Sequence, residues 1–257
     1  MSIDPRAVID PDARIAEGVS VGAFSIIGAG VEIGEGSWIG PHVVIQGPTQ
    51  IGRENRIFQF SSIGEIPQDK KFHGEDSRLT IGDRNTIREF VTINRGTGQG
   101  GGETRIGHDN WLMAYIHIAH DCIVGNHIIF ANGASLAGHV VVDDSAILGG
   151  FTLVHQFCRI GAHSFCAMGS AVSKDVLPYV MVAGNPARAH GLNSEGLKRR
   201  GFDEETRRAV RQAYKLVYRS GLTLAQAAEA LRPLAAAHAE VTPMLNFITS
   251  TQRSITR

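Results

Sequence analysis

The sequence predicts a parallel β-helix of short strands followed by a small helical domain. Two observations support this prediction. An apolar residue recurs at every sixth position over most of residues 1–190, and the composition changes in kind from residue 191 onward. A period of six matches neither the roughly 3.6 residues per turn of an α-helix nor the alternation of a simple strand. It fits short strands joined by sharp corners, each with one apolar residue pointing inward.

The repeat runs in three stretches. Eleven apolar positions extend over 3–63, three over 81–93 and twelve over 106–172, which makes 26 hexads. A three-sided coil of such hexads takes about 18 residues, so the repeats predict about nine coils. With stacked strands about 4.8 Å apart, the prism is expected to be about 40 Å long.

Two breaks in this register predict loops that leave the prism, at 64–80 and at 97–105. Loops on a rigid scaffold commonly carry binding groups, and the first of these loops contains Gln68, Asp69 and Lys71 together. We therefore expect it to contribute to a site, with tolerated insertions as the alternative.

Residues 191–257 predict a separate helical domain. Twenty-six of the 30 glycines lie in residues 1–190, and the tail contains 11 basic and 6 acidic residues although the whole chain has no net charge. Apolar residues in the tail follow helical spacing, and Asp203 is placed to cap a helix start. Pro233 and Pro243 are expected to divide the remaining helical segment.

Histidines gather along one corner of the predicted prism. At about 18 residues per coil, His120 stacks on Gly138 and then on Gln156, while His139 and His155 lie one residue from that column. A neutral imidazole, whose ordinary pKa is about 6.5, can accept a proton from a hydroxyl at pH 7. A glycine beside it leaves its N–H open to stabilise an oxyanion. The pattern therefore favours general-base catalysis.

Two other interpretations of the histidines stay open. His117, His120 and His139 resemble in outline the zinc site of the hexapeptide-repeat carbonic anhydrases, which predicts a zinc hydratase. Alternatively, the chain is a non-catalytic scaffold whose imidazoles cap buried backbone groups. We expect such a structural role for the other histidines, which are His42, His73, His108, His127, His163, His190 and His238.

Seven segments carry a resemblance to a known family; they are HIAHDC (117–122), AGHV (137–140), VHQFC (154–158), GAH (161–163), IGE (63–65), GDRN-IRE (82–89) and NxEGLKRRGF (193–202). On these segments the chain closely resembles the UDP-N-acetylglucosamine O-acyltransferases that begin lipid A biosynthesis. The resemblance covers essentially the whole chain. Because proteins with the hexapeptide signature form left-handed prisms, it implies a left-handed parallel β-helix followed by a C-terminal α-helical domain.

The resemblance implies a reaction and its partners. An (R)-3-hydroxyacyl chain moves from acyl carrier protein to the 3-hydroxyl of UDP-N-acetylglucosamine, in a homotrimer with sites between subunits. No cofactor, metal or nucleic acid is expected. The chain has no run of about 20 apolar residues and no signal-peptide pattern, so we expect it in the cytoplasm without a membrane span. The N-acyltransferase of the same pathway is a rival, but it carries an extra N-terminal domain, whereas the hexads here start at Ile3.

The resemblance also implies roles for particular residues. His120 is the catalytic base, Asp121 supports its imidazole, and the Gly138 N–H is the oxyanion donor. Neighbouring side chains on a strand point to opposite faces, so Asp121 can support His120 only at a corner or across an interface. The remaining residues are expected to bind substrate; they are Gln68, Asp69 and Lys71 in the first loop, His117, His139, His155 and Gln156 in the prism, and Asn193, Glu195, Arg199 and Arg200 in the tail. Two adjacent guanidiniums suit a diphosphate, and the basic tail suits an acidic carrier protein.

Met168 is expected to limit the length of the acyl chain, because the family varies the residue at this position. It follows His120 by 48 residues, or about 2.7 coils, which is about 13 Å along the prism. At about 1.3 Å per carbon–carbon bond, this distance predicts a preference for about ten carbons. A methionine that only fills a gap in the core is the alternative.

Overall fold

The computed structural model describes residues 2–257. Within them, every one of the 26 hexads forms a strand of two to four residues, and two more strands follow. We number the strands in chain order. Successive hexad strands belong to three different sheets in turn, so the chain winds around a three-sided prism with one sheet on each face.

Each sheet takes every third hexad strand. The first sheet contains β1 (Ser2–Ile3), β4 (Ser20–Val21), β7 (Trp38–Ile39), β10 (Arg56–Ile57), β13 (Thr86–Ile87), β16 (Trp111–Leu112), β19 (Ile129–Phe130), β22 (Ile147–Leu148), β25 (Phe165–Cys166), β27 (Val180–Ala183) and β28 (Arg188–Leu192). The second contains β2 (Val8–Ile9), β5 (Ile26–Ile27), β8 (Val44–Ile45), β11 (Ser62–Glu65), β14 (Thr92–Asn94), β17 (His117–Ile118), β20 (Ser135–Leu136), β23 (Leu153–Val154) and β26 (Ala171–Val172). The third contains β3 (Arg14–Ile15), β6 (Val31–Ile33), β9 (Thr49–Ile51), β12 (Arg78–Ile81), β15 (Glu103–Ile106), β18 (Ile123–Val124), β21 (Val141–Val142) and β24 (Arg159–Ile160).

Neighbouring hexad strands are parallel, whereas β27 and β28 pair antiparallel at the end of the prism. In an uninterrupted coil the paired residues are 18 positions apart, as in Ile27 and Ile45. The separation is 30 between Ile51 and Ile81, and 25 between Ile81 and Ile106. Relative to an 18-residue coil, the two loops therefore add 12 and 7 residues.

The loops are shorter than the predicted 64–80 and 97–105. β11 and β12 extend into the first predicted loop, which therefore comprises 66–77. β15 extends into the second, which begins two residues earlier than predicted and comprises 95–102. The reason is a four-residue pairing between β12 and β15, which takes up the C-terminal ends of both predicted loops.

Both loops leave the prism at the same corner. The first lies between β11 and β12 and the second between β14 and β15, and each of these pairs joins the second sheet to the third. His120, Gly138 and Gln156 occupy that corner in the three coils that follow. We call this edge of the prism the site corner.

The inward residues of the hexads form one continuous apolar column. From Val21 onward each of them is buried, including Phe130 and Cys166, which occupy positions where most hexads have an aliphatic residue. Burying one such side chain contributes about 2 kcal/mol, so the repeat itself is the main source of stability. Ile3 in the first coil is 38% exposed because no coil covers that end.

Four α-helices follow in the described residues; they are α1 (Ser194–Arg199), α2 (Glu204–Tyr218), α3 (Leu224–Ala237) and α4 (Thr242–Ser250), with short 3-10 helices at Gly98–Gly100 and Ala239–Val241. Asp203 caps α2 as predicted, since its carboxylate accepts a hydrogen bond from the Thr206 N–H at 2.8 Å. The prediction for Pro233 is wrong, because it lies inside α3. Pro233 has no N–H to donate to the carbonyl of Glu229, four residues earlier. Glu229 is exposed, so water can hydrate that carbonyl instead.

The change from strands to helices falls close to residue 190. β28 ends at Leu192 and α1 begins at Ser194. The helical part contacts the prism, for example where the Tyr179 hydroxyl donates to the Glu240 carbonyl at 2.8 Å. The division into domains 1–190 and 191–257 stays a prediction. Among residues 2–257, none of the helices has the length and apolar character that crossing a membrane needs.

Candidate active site

The site corner presents one side chain per coil in the same place. Asp121, His139 and Phe157 follow each other at intervals of 18 residues, and all three have left-handed backbone with φ of 59°, 62° and 65°. This conformation is uncommon for residues other than glycine, and here it turns the chain sharply from the second sheet to the third. The corner therefore holds these side chains on a rigid backbone.

His120 and Asp121 form a hydrogen-bonded pair. His120 Nδ1 lies 2.7 Å from Asp121 Oδ2. Because Asp121 is left-handed, its side chain turns toward the imidazole instead of pointing to the opposite face. The Asp121 side chain is 1% exposed and that of His120 is 15% exposed. With Nδ1 engaged by the carboxylate, Nε2 is the ring nitrogen left for a substrate.

The second loop encloses the Asp121 carboxylate. The Thr97 N–H donates to Oδ1 at 2.9 Å, and the Thr97 hydroxyl donates to Oδ2 at 2.7 Å. The N–H of Asp121 itself donates to the Thr104 hydroxyl at 2.8 Å. Any side chain at Gly100 would overlap the carboxylate, so the loop backbone lies directly against it.

His139 and Phe157 continue the column beyond the pair. The His139 ring stacks on Phe157 with centroids 4.4 Å apart, and it meets the His120 ring edge-on at 5.2 Å. His139 Nε2 lies 3.7 Å from Asp121 Oδ2. Burial lowers the pKa of His139 below its usual value, although the Asp121 carboxylate opposes this effect. His139 is therefore a neutral ring at pH 7, able to donate or accept a hydrogen bond.

Gly138 lies against the His120 imidazole. A Cβ at this position would come within 2.6 Å of His120 Cε1 and 2.8 Å of Nε2, so only glycine fits without moving the ring. Within residues 2–257 the Gly138 N–H donates no hydrogen bond, although the Gly138 carbonyl accepts one from the Phe157 N–H at 3.1 Å. A free N–H therefore lies beside the imidazole.

One cavity of about 690 Å³ is lined by His120 and His139, whereas Asp121 and Gly138 do not line it. Six of the predicted site residues line it; they are Gln68, Asp69, Lys71, His120, His139 and Gln156. Four lining residues were not predicted; they are Thr97, Gln99, Gly100 and Phe157. The cavity has carboxylate, ammonium, imidazole and amide groups on its walls, which suits a polar ligand.

The first loop is fixed at its base by buried polar contacts. Asn94 Nδ2 donates to the Ile66 carbonyl at 2.8 Å, and the Arg95 N–H donates to the Glu65 carbonyl at 3.1 Å. Further along the loop, Asp69 Oδ1 accepts a hydrogen bond from the Lys71 N–H at 3.0 Å. Gln68, Asp69 and Lys71 of this loop line the same cavity as His120 and His139.

Two predicted binding residues of the prism do not line the cavity. His117 lies on β17, where its Nδ1 is 2.8 Å from the Thr92 hydroxyl, and burial lowers its pKa, with a smaller contribution from His120. His155 is exposed, and its Nδ1 is 3.1 Å from the Gln156 carbonyl.

The predicted residues of the tail also lie outside the cavity of their own chain; they are Asn193, Glu195, Arg199 and Arg200. Asn193 caps α1 and donates to the His163 carbonyl at 3.0 Å. Arg200 donates to the His127 carbonyl at 3.2 Å, on a different corner of the prism from His120. None of these four residues lines the His120 cavity of its own chain, although Arg253 of the tail donates to the carbonyl of the lining residue Gln156 at 2.8 Å.

Met168 is 77% exposed and lies at the corner between the first and second sheets, not at the site corner. The spacing between Met168 and His120 thus gives only their displacement along the prism axis. The alternative that Met168 fills a gap in the core is wrong, because its side chain projects from the surface.

The cluster of His120, Asp121 and His139 has residue types that can bind zinc. One donor atom from each residue lies within 4.8 Å of the others. However, two ligands about 2.1 Å from a tetrahedral zinc are about 3.4 Å apart, whereas His120 Nδ1 and Asp121 Oδ2 are 2.7 Å apart. A shared proton fits this distance, and a metal between these two atoms does not.

Comparisons with known proteins identify the family. Residues 103–138 match the bacterial transferase hexapeptide repeat, and residues 175–256 match the second domain of UDP N-acetylglucosamine O-acyltransferase. Two curated relatives are named acyl-(acyl-carrier-protein)–UDP-N-acetylglucosamine O-acyltransferase. The one from Halorhodospira halophila is 59% identical over 99% of both chains, and the one from Ectopseudomonas mendocina is 60% identical over 100% of this chain and 99% of the relative.

Solved structures agree with this result. The UDP-N-acetylglucosamine O-acyltransferase from Moraxella catarrhalis is 45% identical, with a TM-score of 0.98 over 100% of both chains. A structure from Acinetobacter baumannii is 45% identical, with a TM-score of 0.97 over 99% of both chains. The fold is thus the predicted left-handed parallel β-helix with C-terminal helices. Full-length identity of this order shows that the protein is an enzyme of the UDP-N-acetylglucosamine O-acyltransferase family.

Proposed function

We propose that the protein transfers an (R)-3-hydroxyacyl chain from acyl carrier protein to the 3-hydroxyl of UDP-N-acetylglucosamine, the first step of lipid A biosynthesis, with His120 as general base. The observation that carries this proposal is the 2.7 Å pair of His120 and Asp121 beside the free Gly138 N–H. His120 opens onto the cavity, which six of the predicted residues line. The names of the relatives supply the donor and the acceptor.

The chemistry follows from the position of each proton. Asp121 accepts the Nδ1–H of His120, so Nε2 can take the proton from the sugar 3-hydroxyl. The oxygen then attacks the thioester carbonyl, and the Gly138 N–H donates to the oxyanion that forms. Collapse of this intermediate breaks the carbon–sulfur bond. The imidazolium returns its proton to the departing thiolate of the carrier protein, which restores the neutral base.

We propose that the enzyme works as a homotrimer, as the resemblance implies, and two features of the single chain support an assembly of several copies. The diphosphate is expected to bind Arg199 and Arg200, which lie outside the His120 cavity of their own chain. At the corner between the first and second sheets, five stacked rings form a ladder; they are Phe24, His42, Phe60, Phe90 and Tyr115. The four phenyl and phenol rings are 40–63% exposed. Such a patch suits an interface with another copy of the chain.

The exposed face of α2 is the surface we assign to the carrier protein. Arg208, Arg211, Lys215 and Arg219 recur at helical spacing and are exposed. Within residues 2–257, none of the four forms an ion pair, although Arg207 on the same helix pairs with Glu204 at 2.7 Å. A row of unpaired cations suits an acidic partner.

Met168 is proposed to end the acyl groove at about ten carbons. Its exposed thioether is free to line a groove that a neighbouring subunit completes. Met168→Gly should then extend the accepted chains, and an unchanged preference would contradict this role. We also propose that the reaction takes place in the cytoplasm, as expected from the sequence.

The test is mass spectrometry of UDP-N-acetylglucosamine incubated with the enzyme and 3-hydroxyacyl carrier proteins of graded length. We expect an acylated sugar nucleotide that peaks near ten carbons. His120→Ala should lower the rate by about 10²–10⁴-fold, the usual contribution of a general base. His108→Ala is the control, because His108 lies at another corner and its Nδ1 accepts the Asp83 N–H at 2.9 Å. A product peaking at longer chains would contradict only the Met168 limit, whereas no product with any donor would contradict the proposed reaction.

A further inference from the structure

We propose that Thr97, in the second loop, is a positioning residue for the His120 base: it fixes the Asp121 carboxylate, which in turn fixes the imidazole. The proposal rests on the role given to His120 in the proposed reaction. Thr97 lies 24 residues before Asp121, and its N–H and hydroxyl donate to the two different oxygens of that carboxylate.

The hydrogen bonds of the Thr97 hydroxyl determine where its proton is. Its oxygen accepts the Gly100 N–H at 3.1 Å, and its single proton is directed to Asp121 Oδ2 at 2.7 Å. The other carboxylate oxygen accepts the Thr97 N–H at 2.9 Å. Asp121 therefore acts as an acceptor on both oxygens, and the proton between it and His120 belongs to Nδ1. In the neutral imidazole this arrangement leaves the lone pair on Nε2, as a general base requires.

Burial restricts the Asp121 carboxylate to this arrangement. Thr97 is 5% exposed and the Asp121 side chain 1% exposed, so water cannot replace a lost donor. Gly100 blocks movement of the carboxylate away from the prism, and Thr104, which is fully buried, accepts the Asp121 N–H. The carboxylate thus has one position in which all its partners are satisfied.

A purely structural role for Thr97 is the competing explanation. Thr97 also caps the 3-10 turn Gly98–Gly100 through the same hydroxyl, so its loss could simply loosen the loop. A loosened loop would lower stability without changing the pH at which the base is titrated. The two explanations therefore differ in the pH profile and in their coupling to Asp121.

The experiment compares Thr97→Val, which removes the hydroxyl at nearly constant shape, with Thr97→Ser, which keeps it. Thr251→Val is the matched control. The Thr251 hydroxyl donates to Asp175 Oδ2 at 2.6 Å, and Asp175 is buried and accepts the Arg159 N–H as well, but this group lies outside the site. Each variant is assayed for acyl transfer from pH 5 to 9 and checked for folding by circular dichroism.

For Thr97→Val we expect kcat to fall by about 10- to 100-fold, the usual effect of losing a hydrogen bond to a charged group. KM for UDP-N-acetylglucosamine should stay within about twofold. The acid limb of the pH profile should move up, because a carboxylate with one donor fewer accepts the Nδ1–H of the imidazole more strongly. Thr97→Ser should restore most of the activity. If Thr97→Val does not fold, Thr97→Cys should give the same shift, since a thiol is a weaker donor.

A double-mutant cycle with Asp121→Asn completes the test. If Thr97 acts through Asp121, Thr97→Val should cost little more in the Asp121→Asn background. Additive losses, or a Thr97→Val enzyme with the activity and pH profile of Thr251→Val, would overturn the proposal while leaving the proposed reaction intact. Absence of acyl transfer by the wild-type enzyme would overturn both.

Discussion

The substitution Gly138→Ala tests whether the position of the His120 imidazole sets the rate. A Cβ at residue 138 comes 2.6 Å from His120 Cε1, whereas ordinary contacts begin at 3.4 Å, so the ring or the backbone must move by about 0.8 Å. The backbone on either side is held in the coil, since the Ala137 N–H donates to Val154 at 3.0 Å and the His139 N–H to His120 at 3.1 Å. We therefore expect the ring to move.

A shift of this size is large for a general base. Along the bond to Asp121 it would lengthen the Nδ1–Oδ2 distance from 2.7 Å toward about 3.5 Å, beyond the range of a hydrogen bond. Misplacing a reacting group by about 1 Å can cost about 100-fold in rate, or about 2.7 kcal/mol of transition-state stabilisation. We expect kcat of Gly138→Ala to fall by about this factor, with a smaller change in KM for the sugar nucleotide.

The assay is steady-state acylation of UDP-N-acetylglucosamine, with Gly28→Ala as the control. A Cβ at Gly28 also comes within 2.6 Å of a side-chain atom, Gln46 Oε1, but neither residue lines the cavity. The control should keep its rate within about twofold. Wild-type kcat in a folded Gly138→Ala enzyme would refute the reasoning, and equal losses in both variants would attribute the effect to strain in the coil.

Three further substitutions test other parts of the structure. Gly100→Ala places a methyl group against the Asp121 carboxylate, so kcat should fall at least about tenfold in the same assay. Asp143→Asn should raise the midpoint of thermal unfolding by about 2 °C at pH 7. Burial raises the pKa of the Asp143 carboxyl, so its charged form destabilises the folded chain at that pH. The gain should vanish near pH 3.8, below which the carboxyl is protonated in the folded and the unfolded chain alike. Glu103→Gln should lower the free energy of unfolding by about 2 kcal/mol at pH 7. Burial opposes ionisation of Glu103, but hydrogen bonds from two arginines and a threonine hold its pKa at about 2. The stability lost in Glu103→Gln, measured by denaturant unfolding, should therefore shrink as the pH falls from 4.5 toward 2.

Most of the fold could be predicted because the repeat determines it. Each hexad contributes one strand with one inward apolar residue, so a period of six identifies the strands and the inward column. The three faces were expected from other proteins with the hexapeptide signature. The ends of the loops could not be predicted in this way. Arg78 and Glu103 begin strands because they pair with each other. Both lie in segments where the six-residue period is interrupted, so the period does not predict this pairing.

The site residues that the coils stack at the site corner could be predicted from the sequence, whereas most contacts made by the loops could not. His120, His139 and Gln156 line the cavity because the coil stacks them, and Phe157 could have been found from the same spacing. Thr97 could not, because its partner Asp121 lies 24 residues away, at a separation that no regular coil produces. The tail residues Asn193, Glu195, Arg199 and Arg200 do not line the cavity of their own chain, and the repeat carries no signal for where the tail lies.

The interruptions of the repeat explain why the chemistry lies at one corner. Every coil offers the same geometry, so a repeat alone can stack His120 on Gly138 but cannot supply a donor to the back of Asp121 or a cover over the base. The two loops do so because both break the repeat after a hexad of the second sheet, at Ile63 and Ile93, the face that also carries Ile118. They therefore emerge at the site corner in the two coils directly before His120. The first loop closes the cavity with Gln68, Asp69 and Lys71, and the second orients the base through Thr97. The face of the prism after which the repeat is interrupted, and not only the presence of an interruption, thus indicates at which corner of a β-helix a site is built.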